Sequence, residues 1–495
     1  MKISKLVALF MFVVASASAQ KKPNIVYIIC DDLGYGDVQV LNPEKGKILT
    51  PKIDAFSKES MTFTDAHSAS AVCTPSRYAI LTGRYSWRSR LQQGVLAGGE
   101  ELEPLIAEDQ MTVPKMLKDA GYKTAAIGKW HLGFKFVDDE GKPVEVYDGK
   151  KVIGPAIGST VPNGPVSRGF DSYIGFHHSR VMKTIIKDDK VVDKMEPVKM
   201  LQFLGDHAED YIAKESKNDT PFFMYLALNS PHSPVVPSKA WQGKSGMGDY
   251  ADFVMETDDV VGRVLEALKA NGIEDNTLVF FTSDNGCSYP VAKVGKLENE
   301  FGHYPSADFR GYKSDIWEGG HRIPFMVKWP EHIEANSIND KLICQTSLMA
   351  TCAEIAGLNV DDNVGVDSYS ILPMLKNKKA KTDYNLVVHH SIHGKFSIRN
   401  KKWKLELTPG SGGWSNPTDN KARKENLPEI QLYNMKTDAE ETTNVYKKHP
   451  RVVAKLTKKL KHIVENGRTT SGKSQENDVP VDLYKTETTQ NTAAH

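Results

Sequence analysis

Ile25-Val26-Tyr27-Ile28-Ile29-Cys30-Asp31-Asp32 and Leu278-Val279-Phe280-Phe281-Thr282-Ser283-Asp284-Asn285 are the two stretches whose reading decides the fold. Each is a continuous β-branched or aromatic run that ends on acidic and amide residues. Continuous hydrophobicity, unlike strict alternation, predicts strands covered on both faces, as in parallel sheets flanked by helices. Working outward, Val113 to Ala120 has helical spacing closed by Gly121, and Lys123 to Ile127 reads as a short strand. Pro221 to Leu228 reads as another buried strand, and Thr257 to Ala270 as a helix closed by Asn271-Gly272. Strand and helix alternate, so the class is α/β. Phe134 to Gly175, rich in Gly, Pro and charge, reads as a surface excursion rather than a core element. After about residue 380 the style changes to short strands, Phe396-Ser397-Ile398 and Trp403-Lys404-Leu405, and an amphipathic helix from Pro450 to Asn466. The organisation expected is a catalytic domain over 20–380, a smaller α+β subdomain over 381–467 and an extended or disordered tail over 468–495.

Lys and Arg number 63 against 62 Asp and Glu among 495 residues, so no global field recruits nucleic acid or an anionic membrane. With 40% hydrophobic and 25% charged residues, the bulk is that of an ordinary globular protein. The N-terminus carries Lys2 and Lys5, an apolar run from Leu6 to Ala15, and Ala17-Ser18-Ala19, the pattern of a secretory signal peptide over residues 1–19 with cleavage before Gln20. An apolar run of ~15 Å as a helix is too short for a ~30 Å hydrocarbon core, so a stable membrane anchor is not expected. The mature protein is expected in the periplasm or secreted. Only five cysteines, Cys30, Cys73, Cys287, Cys344 and Cys352, occur in a chain expected to be exported, and they lack CxxC or Cys/His spacing. That argues against a disulfide scaffold and against structural zinc.

Asp31-Asp32-Leu33-Gly34 and Asp284-Asn285-Gly286 both end buried strands. In a parallel sheet both reach the same edge, where three carboxylates and an amide oxygen suit one hard cation, Ca2+ or Mg2+. Read singly, the first is as well a helix cap or Asx-turn and the second a common turn dipeptide. Cys73-Thr74-Pro75-Ser76-Arg77, continuing to Leu81-Thr82-Gly83-Arg84, is the sharpest motif, though a lone cysteine is usually a buried small hydrophobe. Gly128-Lys129-Trp130-His131-Leu132-Gly133 and Pro231-His232-Ser233-Pro234 each follow a strand. Lys313, in Gly311-Tyr312-Lys313, precedes Glu318-Gly319-Gly320-His321-Arg322. Alone, these three have plain alternatives as packing residues, a rigid turn and a solvated lysine.

Together, in this order, the segments resemble the type I, formylglycine-dependent sulfatases, in which the cysteine equivalent to Cys73 is oxidised to Cα-formylglycine. The resemblance runs from Pro23-Asn24-Ile25 to Leu432-Tyr433-Asn434 and is similar to exported bacterial carbohydrate sulfatases of the arylsulfatase A and N-acetylgalactosamine-6-sulfatase kind. It implies an alkaline-phosphatase-like large mixed sheet flanked by helices, plus the small C-terminal domain. It further implies that Asp31, Asp32, Asp284 and Asn285 bind Ca2+, with the modified Cys73 also reaching the ion. Arg77, Lys129 and His131 would hold and deprotonate the formylglycine hydrate, while His232 and Lys313 would grip the sulfate and serve the leaving group. The implied partners are a sulfated glycan and a formylglycine-generating or anaerobic maturating enzyme, with no nucleic acid. A 6-O-sulfated galactose or N-acetylgalactosamine is the substrate expected. His177 and His178 are candidate substrate-binding residues, as are Leu91 to Gly99, the 134–175 excursion and His389-His390-Ser391-Ile392-His393, each with a bland surface reading beside it. Two other functions stay open: a phosphomonoester or phosphonate hydrolase of the same superfamily, and a non-catalytic sulfoglycan-binding protein whose Cys73 is unmodified.

Overall fold

The computed structural model describes residues 21–97, 102–148, 151–152 and 154–485. The expected signal peptide, with its cleavage point before Gln20, lies outside the described residues, as do residues 98–101 and 486–495.

A ten-stranded mixed sheet runs through the molecule. Its strands in chain order are β1 (Asn24–Asp31), β2 (Met61–Phe63), β3 (Lys123–Lys129), β4 (Ser172–Phe176), β5 (Thr184–Lys187), β6 (Lys190–Lys194), β7 (Phe222–Pro231), β8 (Thr277–Ser283), β9 (Phe325–Lys328) and β10 (Ser337–Asn339). The spatial order is β10-β2-β9-β8-β1-β7-β3-β4-β5-β6. The central five, β8, β1, β7, β3 and β4, are parallel, and Ile25 of β1 stands between Leu278 of β8 and Phe223 of β7. Because Cys30 is opposite Ser283, the acidic ends of β1 and β8 emerge side by side.

Every residue of β1 is buried, with Ile25, Tyr27 and Ile29 in one apolar layer and Val26, Ile28 and Cys30 in the other. This explains the continuous run: both faces of the strand are interior. Against one layer lie helices α2 (Met200–Glu215) and α3 (Asp249–Ala270), through Leu204, Ala208, Val254 and Val261. Against the other lies α1 (Cys73–Thr82), through Tyr78 and Ile80. Helix α3 starts eight residues before the expected Thr257. Its first turns are disguised by Asp252 and Glu256, acids that are buried because they accept backbone N–H bonds from Gly243, Ser245 and Ser238.

One expectation is corrected. The 134–175 segment is not wholly a surface excursion: Phe134, Phe136, Val146, Val161 and Phe170 are buried, and its end forms β4 against β3. Ser172-Tyr173-Ile174-Gly175-Phe176 carries no long apolar run, because Gly175 is set by close approach. A Cβ there would meet the Gly128 carbonyl oxygen at 2.0 Å.

The C-terminal region forms an antiparallel sheet of β11 (Val387–His390), β12 (Phe396–Arg399), β13 (Trp403–Glu406) and β14 (Gln431–Asn434), with helix α4 (Pro450–Glu465) across β12 and β13. Val387, Phe396, Leu405 and Leu460 join the same apolar layer as α1, so this domain extends the core of the large sheet. Residues 468–485 run without helix or strand, and Asn477 and Asp478 are tied to Arg88 and Arg84. Among the described residues no helix is long and apolar enough to cross a membrane.

Candidate active site

The carboxyl edge of the parallel strands gathers the acidic residues. Asp31 ends β1, and Asp32 follows with φ of 66°, a left-handed conformation uncommon for a non-glycine residue. Asp32 N donates to Asp284 Oδ1 (3.1 Å), and Asn285 Nδ2 donates to Asp32 Oδ1 (2.8 Å). All four side chains are at most 1% exposed. Three cations face them: Lys129 Nζ lies 2.6 Å from Asp31, Lys313 Nζ 2.7 Å from Asp32, and an Arg77 guanidinium nitrogen 2.8 Å from Asp284. Although burial works against ionisation, Lys129, His232 and Arg77 hold the Asp31 carboxyl well below the usual range. Burial pushes Asp284 up to about 6 against the pull of Arg77, and the Asp31 charge adds to the rise. Asp31 Oδ1 and Asn285 Oδ1 are buried without a hydrogen-bond partner. Asp31, Asp32 and His232 also bring one ligand atom each within 4.8 Å of one another. Orphaned oxygen acceptors from carboxylates and an amide are the donor set a hard cation takes, so these residues fit Ca2+.

Beside this cluster, helix α1 begins at Cys73, and Arg77 follows one turn later on the same face. Cys73 Sγ is 3.3 Å from His131 Nδ1, and His131 Nε2 is 3.0 Å from the Leu96 carbonyl. The carbonyl can only accept, so Nε2 carries the ring proton and Nδ1 presents its lone pair to residue 73. Burial, reinforced by the Lys129 charge, holds His131 well below the ordinary histidine range. Burial raises the Cys73 thiol even though Lys129 and Lys313 oppose the shift. An unmodified thiol here is therefore a weak nucleophile at neutral pH.

His232 lies between two cis prolyl bonds, Ser230-Pro231 and Ser233-Pro234, at the end of β7. Its Nδ1 donates to the Ser233 carbonyl (2.7 Å), leaving Nε2 3.7 Å from Asp32 Oδ2. Lys313 sits on a strap tied by Lys313 N to Cys287 O (2.8 Å) and Ser314 N to Ala71 O (2.8 Å). The fold thus brings Asp31, Asp32, Cys73, Arg77, Lys129, His131, His232, Asp284, Asn285 and Lys313 to one edge.

Asp315 is a residue the sequence reading missed. It accepts from the backbone N–H groups of Tyr312, Trp414 and Ser415 and so fastens the Lys313 strap to the C-terminal domain. Its only signal was a position two residues after Lys313. His177 and His178 lie beside His131, whose N–H donates to the His177 carbonyl (2.8 Å). The His178 ring stacks on that of His131 at 5.4 Å, and His177 packs against Phe134 at 4.4 Å. The 389–393 segment divides between interior and surface. His389 and His390 of β11 are at most 1% exposed and lie in the interior, whereas Ile392 is half-buried, His393 is exposed, and Ile392 N donates to the Ser314 carbonyl next to Lys313 (3.0 Å).

Known proteins resemble this chain in sequence and in fold. Residues 23–358 match the family model described as Sulfatase, and residues 311–409 match one described as N-sulphoglucosamine sulphohydrolase, C-terminal. The chain is 30% identical over 491 residues to an N-acetylgalactosamine-6-O-sulfatase of Bacteroides thetaiotaomicron, covering 90% of this chain and 93% of the relative. It is 31% identical over 376 residues to human N-acetylgalactosamine-6-sulfatase, covering 73% and 67%. Among solved structures, one from work on the metabolism of multiple glycosaminoglycans by Bacteroides thetaiotaomicron superposes with a TM-score of 0.75 at 25% identity, covering 90% of this chain and 99% of that one. Ps i-CgsB in complex with k-i-k-neocarrahexaose gives 0.71 at 24% identity over 92% and 95%, a likeness of fold alone.

Proposed function

Because the chain belongs to the sulfatase family, we propose that it is an exported, Ca2+-dependent enzyme that removes 6-O-sulfate from galactose or N-acetylgalactosamine units of a sulfated glycan. It is a sulfuric ester hydrolase. The observation that carries the finer reading is the facing pair at the helix α1 start: Cys73 stands 3.3 Å from an imidazole lone pair and next to a carboxylate cluster with two unpartnered oxygens.

Asp31, Asp32, Asp284 and Asn285 would hold Ca2+, which supplies positive charge to the sulfuryl oxygens. Oxidised by a maturating enzyme to formylglycine, residue 73 supplies a gem-diol: one hydroxyl takes the sulfuryl group and the second allows its expulsion with return of the aldehyde. His131 is the base toward residue 73, since its Nδ1 lone pair faces it and burial keeps the ring neutral. Lys129 and Arg77 bracket the same residue and hold charge that develops on the sulfate. His232, protonated at the Nε2 that lies toward Asp32, donates its proton to the departing sugar oxygen, with Lys313 stabilising the negative charge there. His178, stacked on His131, would contact the substrate beside the base. Names of relatives support the glycan and the 6-position.

The test uses protein co-produced with a formylglycine-generating enzyme and measures sulfate release from the 6-O- and 4-O-sulfated isomers of N-acetylgalactosamine and galactose, with and without Ca2+. Release is expected from the 6-O-sulfated sugars and is expected to fall on Ca2+ removal. Preference for another position overturns the substrate assignment. Turnover of phosphate esters in place of sulfate esters overturns the chemistry.

A further inference from the structure

We propose that the C-terminal domain carries a second, non-catalytic groove that binds a sulfated saccharide chain, between helix α4 and the β11–β12 side of its sheet. The groove has a volume of about 550 Å3 and shares no lining residue with the catalytic cluster. Its floor is apolar, from Leu386, Ile398 and Leu456, and Asn385 and Asn400 add amide groups. Its rim carries Lys455, Lys458 and Lys459, all exposed, at positions i, i+3 and i+4 of α4, which point the three ammonium groups to one side.

These charges are a local concentration. Helix α4 holds Arg451, Lys455, Lys458, Lys459 and Lys461 against a single acid, Glu465, in a chain whose net charge is +1. Among the described residues, none of the three rim lysines is tied up in an ion pair with a carboxylate. An unneutralised row of ammonium groups above an apolar floor selects a ligand that is anionic on its edges and apolar on its faces. A sulfated sugar has that form: its C–H faces pack on the half-buried Leu386, its hydroxyls meet the asparagine amides, and its sulfate esters meet the lysines. A membrane surface fits less well. The apolar stripe of α4, Leu456, Leu460, Ile463 and Val464, is already buried on the sheet, so the exposed face has nothing to insert between lipids. Single-stranded nucleic acid also fits less well, because His462 is the one aromatic ring among the lining residues and a run of bases needs several stacking platforms.

The choice of a sulfated saccharide over another polyanion rests on the activity proposed above, whereas the cationic groove does not. Holding the chain at a second point raises the concentration of further sulfate groups near the catalytic edge, so polymer and monosaccharide should respond differently to its loss.

The experiment measures binding of a chondroitin 6-sulfate oligosaccharide to the full chain carrying Cys73→Ala, so that no turnover intervenes, with and without Lys455→Glu/Lys458→Glu/Lys459→Glu. Reversal of the three exposed charges is expected to weaken binding by roughly tenfold. In the active enzyme the same triple variant is expected to raise KM for the polymer while kcat/KM for a sulfated monosaccharide stays unchanged. Equal affinity of the two proteins overturns the proposal, as does equal binding of chemically desulfated chondroitin. Preferential binding to phosphatidylglycerol vesicles overturns it in favour of a membrane. A protein that binds through the three lysines yet releases no sulfate refutes the catalytic reading and leaves the groove standing.

Discussion

Two buried clusters of charge in this molecule are built from the same materials and come out differently. At the edge of the large sheet, Asp31, Asp32 and Asp284 face Arg77, Lys129 and Lys313. Beneath the C-terminal sheet, Asp65, Glu318, Glu406 and Glu441 face Arg322, Arg399 and Lys404, with His67, His321 and His389 among them. Lys404 lies 2.6 Å from Glu441 and 3.3 Å from Glu318, and the His321 and His389 rings stack at 3.7 Å. This second cluster is sealed. Burial, together with Glu441, pushes the Glu406 carboxyl well up against the pull of Lys404, so a proton there relieves the surplus of acid. Both clusters hold buried oxygens that accept no hydrogen bond, Asp31 Oδ1 and Asn285 Oδ1 in the first and Glu318 Oε1 and both Glu406 oxygens in the second, but only the first borders the partly exposed His232. The open rim at His232, rather than the presence of charge or of spare oxygens, separates the proposed catalytic site from the cluster that joins two domains.

The contrast is broken most severely at Cys73. Cys73→Ala is expected to lower kcat/KM by at least about 10^4-fold, since removing a nucleophile removes the covalent path. Its melting temperature should stay near that of the parent, which thermal unfolding checks. Lys404→Met should do the reverse. Removing one partner of a buried charge network costs about 3–5 kcal/mol of stability, read from urea unfolding, while kcat of the folded fraction changes little. Below both, Ca2+ at about a hundred times its Kd should stabilise the protein by about 2.7 kcal/mol, and Asp284→Asn should abolish that gain. A thermal shift that survives Asp284→Asn places the ion elsewhere.

The smallest effect for a single group is in pH. Burial, with Arg399 adding for His67, lowers His67 to about 4, and burial lowers His390 to about 3, from an ordinary 6.5. Above 6.5 neither form of the chain binds the extra proton. As pH falls from 6.5 toward 4 the unfolded chain takes up protons that the folded one refuses, so stability drops by roughly 1.4 kcal/mol per pH unit for each group. The urea midpoint is therefore expected to fall between pH 6.5 and 5, and His390→Gln to fall less steeply than the parent. Identical slopes remove His390 from the account.

Much of the first cluster was legible in the sequence, and almost none of the second. Asp31 and Asp284 could be placed together because each ends a continuous apolar run, and two such runs in one parallel sheet share an edge. Strand β4 was hidden because Gly175 stands where a side chain would strike Gly128. The sealed network left no local pattern. Its members come from segments far apart, as with Arg399 and His67 across 332 residues, and lone Asp, His and Lys residues carry no spacing that marks them as partners. Backbone contacts were equally invisible, including the Leu96 carbonyl that sets the His131 tautomer.

The central claim is that residue 73 acts as an aldehyde hydrate and not as a thiol. Peptide mass spectrometry across Cys73, on protein produced in its own host and active on a sulfate ester, tests it most directly. A mass ~18 Da below that of the thiol peptide is expected, the change from CH2SH to CHO. An active preparation in which the peptide carries only an unmodified thiol would contradict it.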